Sequence, residues 1–392
     1  MEINKRVRAE PGVQLAFGRD GCAEQSVVQD TLDACTPENV GQMETALDDI
    51  YRQHSRGYSH NYGRHLLVLD IDLTGRPCGG KAAFASKGYF AKQRNRRGRQ
   101  VGYVLATPYE EIVVERLFAG QSQLTTALQP LVEAAEKSLS LDEDKRRRIL
   151  VRVDAGGGSI DDVNWLLQRG YHFHGKDYST VRAEKLAPSV TSWLTDPTDP
   201  SRQMGWVTVE PVDYCRPLRR IAVRCRKKNG HWGIGVILSS LSPQQVLTLT
   251  QQPQEKLNDP NAILLAYVYL YDQRGGGVEI EIKEDKQGLG TAKRNKKRFP
   301  AQQMVTQLEA LAHNLLVWAR RWLTPYCPKV ARFDLKRLVR DVFQMNGFIL
   351  LDAAAHISQI ILNQADPLAR EVCAGLAPLL AQEQVTVILG ET

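Results

Sequence analysis

The sequence lacks the features that would place it in a membrane or stabilise it by disulfides. Its longest apolar run, around Ala262–Leu270, is far shorter than the roughly 20 residues that a membrane-spanning helix needs. Its seven cysteines are an odd number without a C-x-x-C pair, which argues against a disulfide framework and leaves no readable zinc site. The chain also does not begin like a signal peptide. We therefore expect a cytoplasmic protein with reduced thiols and no membrane contact.

The chain is long and moderately basic. Its 392 residues, 43% of them hydrophobic, are enough for one large domain with an insertion or for two to three domains. Lys and Arg outnumber Asp and Glu by 51 to 44, and the resulting formal charge of +7 favours polyanionic partners without proving one. The places where cations and acids cluster are therefore more informative than the totals.

Two short apolar segments end in aspartates. His65–Leu73, with its branched apolar residues, predicts a strand that is buried on both faces and carries Asp70 and Asp72 near its end. The string RRRILVRVDAGGG predicts a second such strand, which delivers Asp154 into a glycine loop. Asp70 and Asp72 lie on the same strand face, so either could be the functional acid. Asp72 is favoured because it lies nearer the strand end and is followed by Leu-Thr-Gly.

Periodic patterns outline the other elements. Helices are predicted near Cys22–Ala34, after Thr36, over Leu124–Leu139, and along a long segment with Met304, Leu308, Leu311, Leu315, Trp318 and Trp322 on one face. The first two fit either a small DNA-binding head or a helical hairpin that packs on the main domain. Strands are predicted at Lys81–Phe90, at Val101–Ala106 and in ILLAYVYLY, residues 263–271.

Two regions differ from the rest in composition. Between about Lys185 and Asn261 the chain is rich in Pro, Ser and Gln with short strand-like runs, which indicates an inserted β-rich subdomain. Beyond Pro328 the pattern is helical with an apolar C-terminus, and we interpret it as a packing or assembly surface without a site.

Glu279, in the segment from Tyr271 to Lys286, is a candidate third acid of a metal site. If a helix runs through this segment, Lys286 lies about two turns beyond Glu279 on the same face, whereas Glu281 points away. Arg274 and Lys286 would then stabilise negative charge beside the carboxylate. The alternation VEIEI also permits a strand, and the alternative to a site is a solvated helix with ordinary ion pairs.

Three carboxylates brought together from distant segments suit Mg²⁺ or Mn²⁺. These hard ions prefer oxygen ligands, and Mg²⁺ needs only a few carboxylates because it keeps several waters. Two such ions about 4 Å apart stabilise both the entering and the leaving oxygen of a phosphodiester displacement. Asp72, Asp154 and Glu279 are therefore candidate ligands for phosphodiester chemistry.

The order of these residues resembles the DDE transposases of bacterial insertion sequences, specifically those with the Y-(2)-R-(3)-E-(6)-K signature. Further strings resemble the group of elements numbered thirteen-eighty: DIDLTGRPCGGKAAFASKGYFAKQRNRRGRQ, LATPYEEIVVERLF, DKQGLG and LAHNLLVWARRWL. The likeness spans roughly residues 60–325. Carried over, it places the catalytic, metal-binding triad on Asp72, Asp154 and Glu279, with Tyr271, Arg274 and Lys286 as phosphate-contacting supports. Four residues rather than three separate Arg274 from Glu279, so the neighbours of Glu279 remain alternatives.

The resemblance implies an α/β fold with an RNase H-like catalytic core interrupted by a β-rich insertion, between helical N- and C-terminal regions. We expect a helical, possibly DNA-binding region at 1–60, core at 61–184, insertion at 185–262, core with the catalytic helix at 263–328, and a helical region at 329–392. The implied activity is Mg²⁺-dependent DNA cleavage and strand transfer by a homodimer assembled on DNA. The alternative is an inactive or truncated transposase that only binds DNA.

Clusters of cations flank the acids. The first, with Tyr89 and Phe90 before it, contains Lys92, Arg94, Arg96, Arg97 and Arg99; the second contains Lys293, Arg294, Lys296, Lys297 and Arg298; a third runs from Arg219 to Lys228. One such run is usually a solvated face, but three around an acidic triad favour DNA contacts. Trp232 fits either stacking on an unpaired base or a place in the core.

Two further motifs have competing interpretations. GRPCGGKA, Gly75–Ala82, matches G-x-x-x-x-G-K of a nucleotide-binding loop, but Ala82 stands where Ser or Thr should bind magnesium and no convincing helix follows. An ATPase is therefore a third hypothesis. His313 and Asn314 lie within the long apolar helix, where hydrogen-bonded core residues are the favoured interpretation.

Overall fold

The computed structural model of the protein describes residues 8, 10–16, 18–90, 95–209, 213–291, 295–354 and 356–391. The predicted DNA-binding residues Lys92, Arg94, Lys293 and Arg294 lie outside this part of the chain. The chain forms two compact units, a larger one of residues 48–80 and 84–282 and a smaller one of residues 1–47, 81–83 and 283–392.

The strands are β1 (Leu67–Pro77), β2 (Ser86–Lys87), β3 (Arg97–Ala106), β4 (Glu111–Ala119), β5 (Ile149–Val153), β6 (His172–Lys176), β7 (Leu194–Thr195), β8 (Arg202–Trp206), β9 (Arg219–Arg226), β10 (Trp232–Ser239), β11 (Gly347–Leu351), β12 (Ile357–Asn363) and β13 (Thr386–Gly390). The helices are α1 (Pro11–Ala16), α2 (Gln25–Ala34), α3 (Pro37–His54), α4 (Leu124–Leu139), α5 (Glu143–Arg146), α6 (Ile160–Gln168), α7 (Thr180–Leu186), α8 (Pro243–Leu249), α9 (Pro260–Asp272), α10 (Val278–Glu284), α11 (Phe299–Leu323), α12 (Leu335–Leu338) and α13 (Ala369–Leu380).

The larger unit is built on one mixed sheet. Its strand order is β4, β3, β1, β5, β6, β10, β9, β8, β7, and β2 pairs with the same edge of β3 as β4 does. Strands β1, β5 and β6 are parallel to one another, whereas β3 and β10 run antiparallel to β1 and β6. Helices α4 and α6 are the crossovers that parallel neighbours require. The carboxyl ends of β5 and β6 therefore lie at one edge, beside the middle of β1, whose pairing with β5 stops at Ile71 while the strand continues to Pro77 along β3.

The acids lie on one particular face of the sheet. Side chains alternate along β1, so Asp70 and Asp72 share the face of Val68. Val68 belongs to a buried apolar cluster with Leu150 of β5, Val246 of α8 and Leu264 of α9. Helices α8 and α9 therefore cover the sheet face on which both aspartates lie.

The prediction of a strand in ILLAYVYLY is wrong, because this segment forms α9. Pro260 occupies its first turn, and the carboxylate of Asp259 caps it by accepting hydrogen bonds from the backbone N–H of Asn261 (2.9 Å) and Ala262 (3.1 Å). The helix is apolar on nearly all sides because it is buried, so it lacks the amphipathic period by which a helix is recognised.

The region after β1 also departs from the prediction. Of the strand expected over Lys81–Phe90, only β2 is present, whereas Val101–Ala106 lies in β3 as predicted. The sequence GRPCGGKA begins inside β1 and leads into β2 instead of a helix. Since a nucleotide-binding loop needs a helix N-terminus for the phosphates, this structure argues against the ATPase hypothesis.

The segment expected to be an inserted subdomain is β-rich, with strands β7 to β10. However, β10 pairs with β6 through Ile237 opposite Lys176, so these strands extend the central sheet instead of forming a sheet of their own.

The smaller unit contains α2, α11 and the C-terminal region. Helix α2 packs against the long helix α11, which agrees with the packing alternative for the N-terminal helices. The prediction of a wholly helical region beyond Pro328 is wrong, because β11, β12 and β13 form a three-stranded sheet on which α13 packs. The three isoleucines of β12 favour a strand because β-branched side chains fit a pleated surface. None of the helices described here has the length and apolarity of a membrane span.

Candidate active site

Asp72 and Asp154 are neighbours at the point where the parallel pairing of β1 with β5 ends. The last paired residues of β1 and β5 are Ile71 and Val153, so the following residues, Asp72 and Asp154, are next to each other in the same register. Adjacent strands lie about 4.8 Å apart, and register partners point to the same face. Each carboxylate is fixed by one backbone N–H: Leu73 donates to Asp72 and Gly156 to Asp154, both at 2.8 Å.

Asp70 is committed to a buried ion pair. Its two oxygens accept hydrogen bonds from Nε and Nη2 of Arg152, both at 2.7 Å, and one also accepts a bond from the Thr107 hydroxyl at 2.7 Å. The third nitrogen of Arg152 donates to the Leu270 carbonyl at 2.8 Å, and Asp70 is fully buried. Because its oxygens are used inside the protein, Asp70 is a structural residue in this arrangement. That leaves Asp72 as the available acid of β1.

Arg274 links Asp72 to Glu279. Its Nη2 lies 3.2 Å from a carboxylate oxygen of Asp72 and donates to the Ile71 carbonyl at 3.1 Å, while its Nη1 lies 3.2 Å from Glu279. Arg274 is only 3% exposed, whereas the side chain of Glu279 is 58% exposed. Glu279 lies in the first turn of α10, where Glu281 is buried. Of these two acids, Glu279 is therefore the one that contacts Arg274 beside Asp72.

A glycine makes the approach of this segment possible. A Cβ on Gly277 would lie 2.9 Å from a carboxylate oxygen of Asp70 and 3.1 Å from the Thr107 methyl group. The run Gly275–Gly277 therefore brings the start of α10 directly onto β1 at Asp70, although one more residue separates Arg274 from Glu279 than in the transposase signature.

The charges of the site influence one another. Burial raises the pKa of Asp72 to about 6; Arg274 opposes this rise, and the neighbouring carboxylates of Asp154 and Glu279 add to it. Burial also raises the pKa of Tyr271 to about 12, with Arg274 opposing and Asp154 and Glu279 contributing, so its hydroxyl stays protonated at neutral pH. Two acids from distant segments, Asp154 and Glu279, thus raise the pKa values of both Asp72 and Tyr271.

The pKa of Asp72 makes a testable contribution to stability. Its ordinary value is 3.8, so between pH 4 and 6 the folded state holds a proton that the unfolded state has lost. Stability should therefore fall as pH rises through this window, by up to about 3 kcal/mol, and level off above it. Asp72→Asn should abolish this fall, so its stability relative to wild type should increase between pH 4.5 and 7 in urea unfolding. A difference in the free energy of unfolding between Asp72→Asn and wild type that is the same at every pH would contradict the raised pKa of Asp72.

The donor set suits a hard divalent cation, but its spacing is not that of a closed metal cluster. Among the described residues, no group of three or more Asp, Glu, His or Cys side chains is drawn close enough to hold an ion. In this arrangement the positive charge beside Asp72 and Glu279 comes from the guanidinium of Arg274. Metal binding would require the carboxylates to close up around the ion.

The remaining members of the predicted signature are spread over both units. Tyr271 is in the last turn of α9, close to the acids as described above. Lys286 belongs to the smaller unit, in a π-helical turn of residues Asp285–Leu289 that continues from α10. In the same unit, His313 is fully buried and its Nδ1 lies 2.8 Å from the Asp285 carboxylate, which confirms the interpretation as a satisfied core histidine.

The described cations of the first two basic runs have different environments. Arg96 and Arg97 are exposed, but Arg99 is 1% exposed and cannot belong to an open DNA-binding surface in this structure. Lys296 and Arg298 bond to Gln29 and the Asp33 carbonyl of the N-terminal region, while Lys297 is exposed.

In the third run, Arg224 stacks between two indole rings. Its guanidinium carbon lies 3.9 Å from the ring centre of Trp193 and 4.6 Å from that of Trp232. Trp232 is 37% exposed, so it is not a core residue, and one face of its ring is occupied by the arginine.

Sequence reasoning missed Arg152 and Lys176. Arg152 is the one charge inside the apolar run ILVRV, and a buried cation of this kind signals an acidic partner on a neighbouring strand. Lys176 ends β6, one strand beyond Asp154. The sequence HFHGK of this strand has no clear alternation, so nothing local indicated its position.

Comparisons with known proteins leave the family open. No family model and no curated protein matches the sequence. Among solved structures, the chain is similar to a piggyBac transposase in a synaptic complex with hairpin DNA, with 15% identity over 71% of this chain and 52% of that one and a TM-score of 0.46. The chain thus spans about half the length of that transposase. It also overlaps with the activator of 2-hydroxyisocaproyl-CoA dehydratase from Clostridium difficile with bound ADPNP, with 10% identity over 74% and 84% of the chains and a TM-score of 0.14. Overlaps this partial do not assign a fold or a function.

Proposed function

We propose that the protein is a DDE-type DNA transposase of the kind found in bacterial insertion sequences, in which Asp72, Asp154 and Glu279 bind Mg²⁺ or Mn²⁺. One observation carries the proposal. Asp72 and Asp154 occupy register positions side by side, and Arg274 ties Asp72 to Glu279, more than 120 residues further along the chain than Asp154. The mixed sheet of the larger unit, with parallel strands carrying both aspartates, is compatible with the RNase H-like core that the sequence resemblance implies.

The metal ions would supply what the side chains lack. Bound to the three carboxylates, divalent cations stabilise the attacking and leaving oxygens of a phosphodiester displacement. Mutual repulsion and burial already disfavour the ionised form of Asp72, and a divalent cation would relieve both. Glu279, more than half exposed, is the carboxylate with most freedom to turn from Arg274 toward an ion.

The surrounding side chains have separate tasks in this proposal. Arg274, held by Asp72 and the Ile71 carbonyl, keeps a positive charge beside the phosphate that enters the site. Tyr271 stays protonated and can donate a hydrogen bond to a phosphate oxygen. The exposed cations Arg96 and Arg97 would contact the DNA backbone.

A DNA-binding protein without catalysis remains the second candidate, because Arg274 fills the space between two of the acids. The two candidate functions are distinguished by incubating the wild-type protein with a plasmid that carries its coding region and native flanking DNA, in Mg²⁺ or in EDTA. The transposase proposal expects cuts at the element boundaries in Mg²⁺ only. Binding without any metal-dependent cut would favour the second candidate.

A further inference from the structure

Lys176 extends the row of acids across the sheet. The register that places Asp154 beside Asp72 continues from β5 to β6, where Val153 pairs with Gly175, so Lys176 is the neighbour of Asp154. The three side chains leave the same face of three consecutive strands. At about 4.8 Å per strand, Lys176 starts one strand from Asp154 and two strands from Asp72.

The lysine side chain passes over a glycine of the next strand. A Cβ on Gly235 in β10 would lie 2.3 Å from Cε and 3.1 Å from Nζ of Lys176. The absence of a side chain at Gly235 therefore leaves the path along which the ammonium group reaches across β10.

The ammonium group borders a cavity of about 430 Å³. Tyr271 lines the same cavity, and the charges of Asp154 and Glu279 act on its hydroxyl, so one ring adjoins both the cavity and the acids. The other walls are formed by Asp199, Arg202, Val223, Cys225, Gly233, Ile234, Gly235 and Ile237. The volume is within the range of sites that hold a small molecule or one unit of a polymer.

Among the described residues that line this cavity, Lys176 provides the positive charge without an acidic partner. Arg202, the other cation of the lining, is paired with Asp272 at 2.6 and 3.0 Å and lies 3.7 Å from Asp196. Asp199 accepts two bonds from Ser201, at 2.9 Å from the backbone N–H and 2.7 Å from the hydroxyl. Within the part of the chain that the structure describes, Lys176 has no acidic partner. An unpaired ammonium group beside a phenol is suited to an anion.

We propose that this cavity is a second phosphate site, in which Lys176 binds a phosphate of the same DNA strand whose reacting phosphate would lie at the metal ions bound by the three acids. The inference rests on the proposed function, because the strand that would pass Lys176 is the DNA strand whose phosphate lies at the three acids. The site positions the DNA strand, and Gly235 keeps it open for the lysine.

The test compares Lys176→Gln with Lys185→Gln, an exposed lysine of α7 in the same unit. Binding of a fluorescein-labelled duplex from the flanking DNA is followed by anisotropy in EDTA at several salt concentrations. Lys176→Gln should weaken binding about tenfold and reduce the slope of log K against log salt by about 1. Lys185→Gln should leave both unchanged, and Lys176→Arg should restore most of the affinity. Gly235→Ala, which displaces the lysine side chain, should weaken binding in the same direction.

The outcomes separate this inference from the proposed function. If the wild-type protein binds and cleaves DNA but Lys176→Gln binds with unchanged affinity and salt slope, the second phosphate site is wrong and the transposase proposal stands. Equal losses in Lys176→Gln and Lys185→Gln would also overturn it, because they would show a general effect of charge. If the wild-type protein binds no DNA, both the second phosphate site and the transposase proposal are wrong.

Discussion

Asp154→Asn is expected to lower Mg²⁺-dependent DNA cleavage by on the order of 10³-fold while DNA binding is retained. The substitution keeps the shape of the side chain and removes the charge that a divalent cation needs. Loss of several kcal/mol of metal-based stabilisation of the transition state corresponds to a rate loss of this size. Cleavage is measured on the plasmid with native flanking DNA, and binding by anisotropy on a duplex from it.

Asp144→Asn is the matched control for this experiment. Asp144 lies in α5, shortly before β5, and its side chain is 95% exposed. Its charge therefore interacts mainly with solvent and with the exposed Arg147 at 3.8 Å. Its substitution should change the cleavage rate less than twofold. Comparable rates for wild type and Asp154→Asn would show that cleavage does not depend on this acid, and would remove it from the site.

Asp70→Ala is expected to destabilise the protein by about 3–5 kcal/mol, because it leaves the guanidinium of Arg152 buried without its partner. Such a loss is a large part of the roughly 5–15 kcal/mol by which proteins are usually stable. Urea unfolding at pH 7, followed by tryptophan fluorescence, measures it directly.

A double replacement distinguishes the ion pair from simple loss of packing. Asp70→Leu combined with Arg152→Met fills the space with apolar side chains and removes both charges, so it should recover most of the stability. If Asp70→Ala costs less than about 1 kcal/mol, the buried pair is not the structural feature described here. Asp70 would then again compete with Asp72 for the functional role.

The strands that carry the acids could be predicted from sequence because their signal is local. Short runs of branched apolar residues that end in Asp72 and Asp154 indicate buried strands by length and composition alone. Nearness to the strand end favours Asp72 over Asp70 in the sequence, but β1 continues to Pro77, so this reason does not hold. The choice needs information beyond the strand itself. It depends on Arg152 of a neighbouring strand, and strand pairing is a long-range property that spacing along the chain does not encode.

Local sequence is least informative where burial on all sides removes the helical period and where the structure depends on which strands pair. Helix α9 is apolar nearly all round, and only its Asp-Pro cap, Asp259 and Pro260, distinguishes it from a strand. A β-rich insertion was predicted over residues 185–262, where β7 to β10 lie, but that these strands continue the central sheet depends on the register of β10 with β6. The same pairing places Lys176 beside the acids, which explains why it was missed.

Asp72, Asp154 and Glu279, which are distant in sequence, are proposed to form one site for divalent cations. Calorimetric titration of Mn²⁺ into the wild-type protein and into Asp72→Asn, Asp154→Asn and Glu279→Gln measures the contribution of each carboxylate to the Mn²⁺ affinity, with Asp144→Asn as control. We expect each of the three substitutions to weaken Mn²⁺ binding at least tenfold, and the control to match wild type. Mn²⁺ binding that is unaffected by all three, or absent from the wild-type protein, would contradict the account.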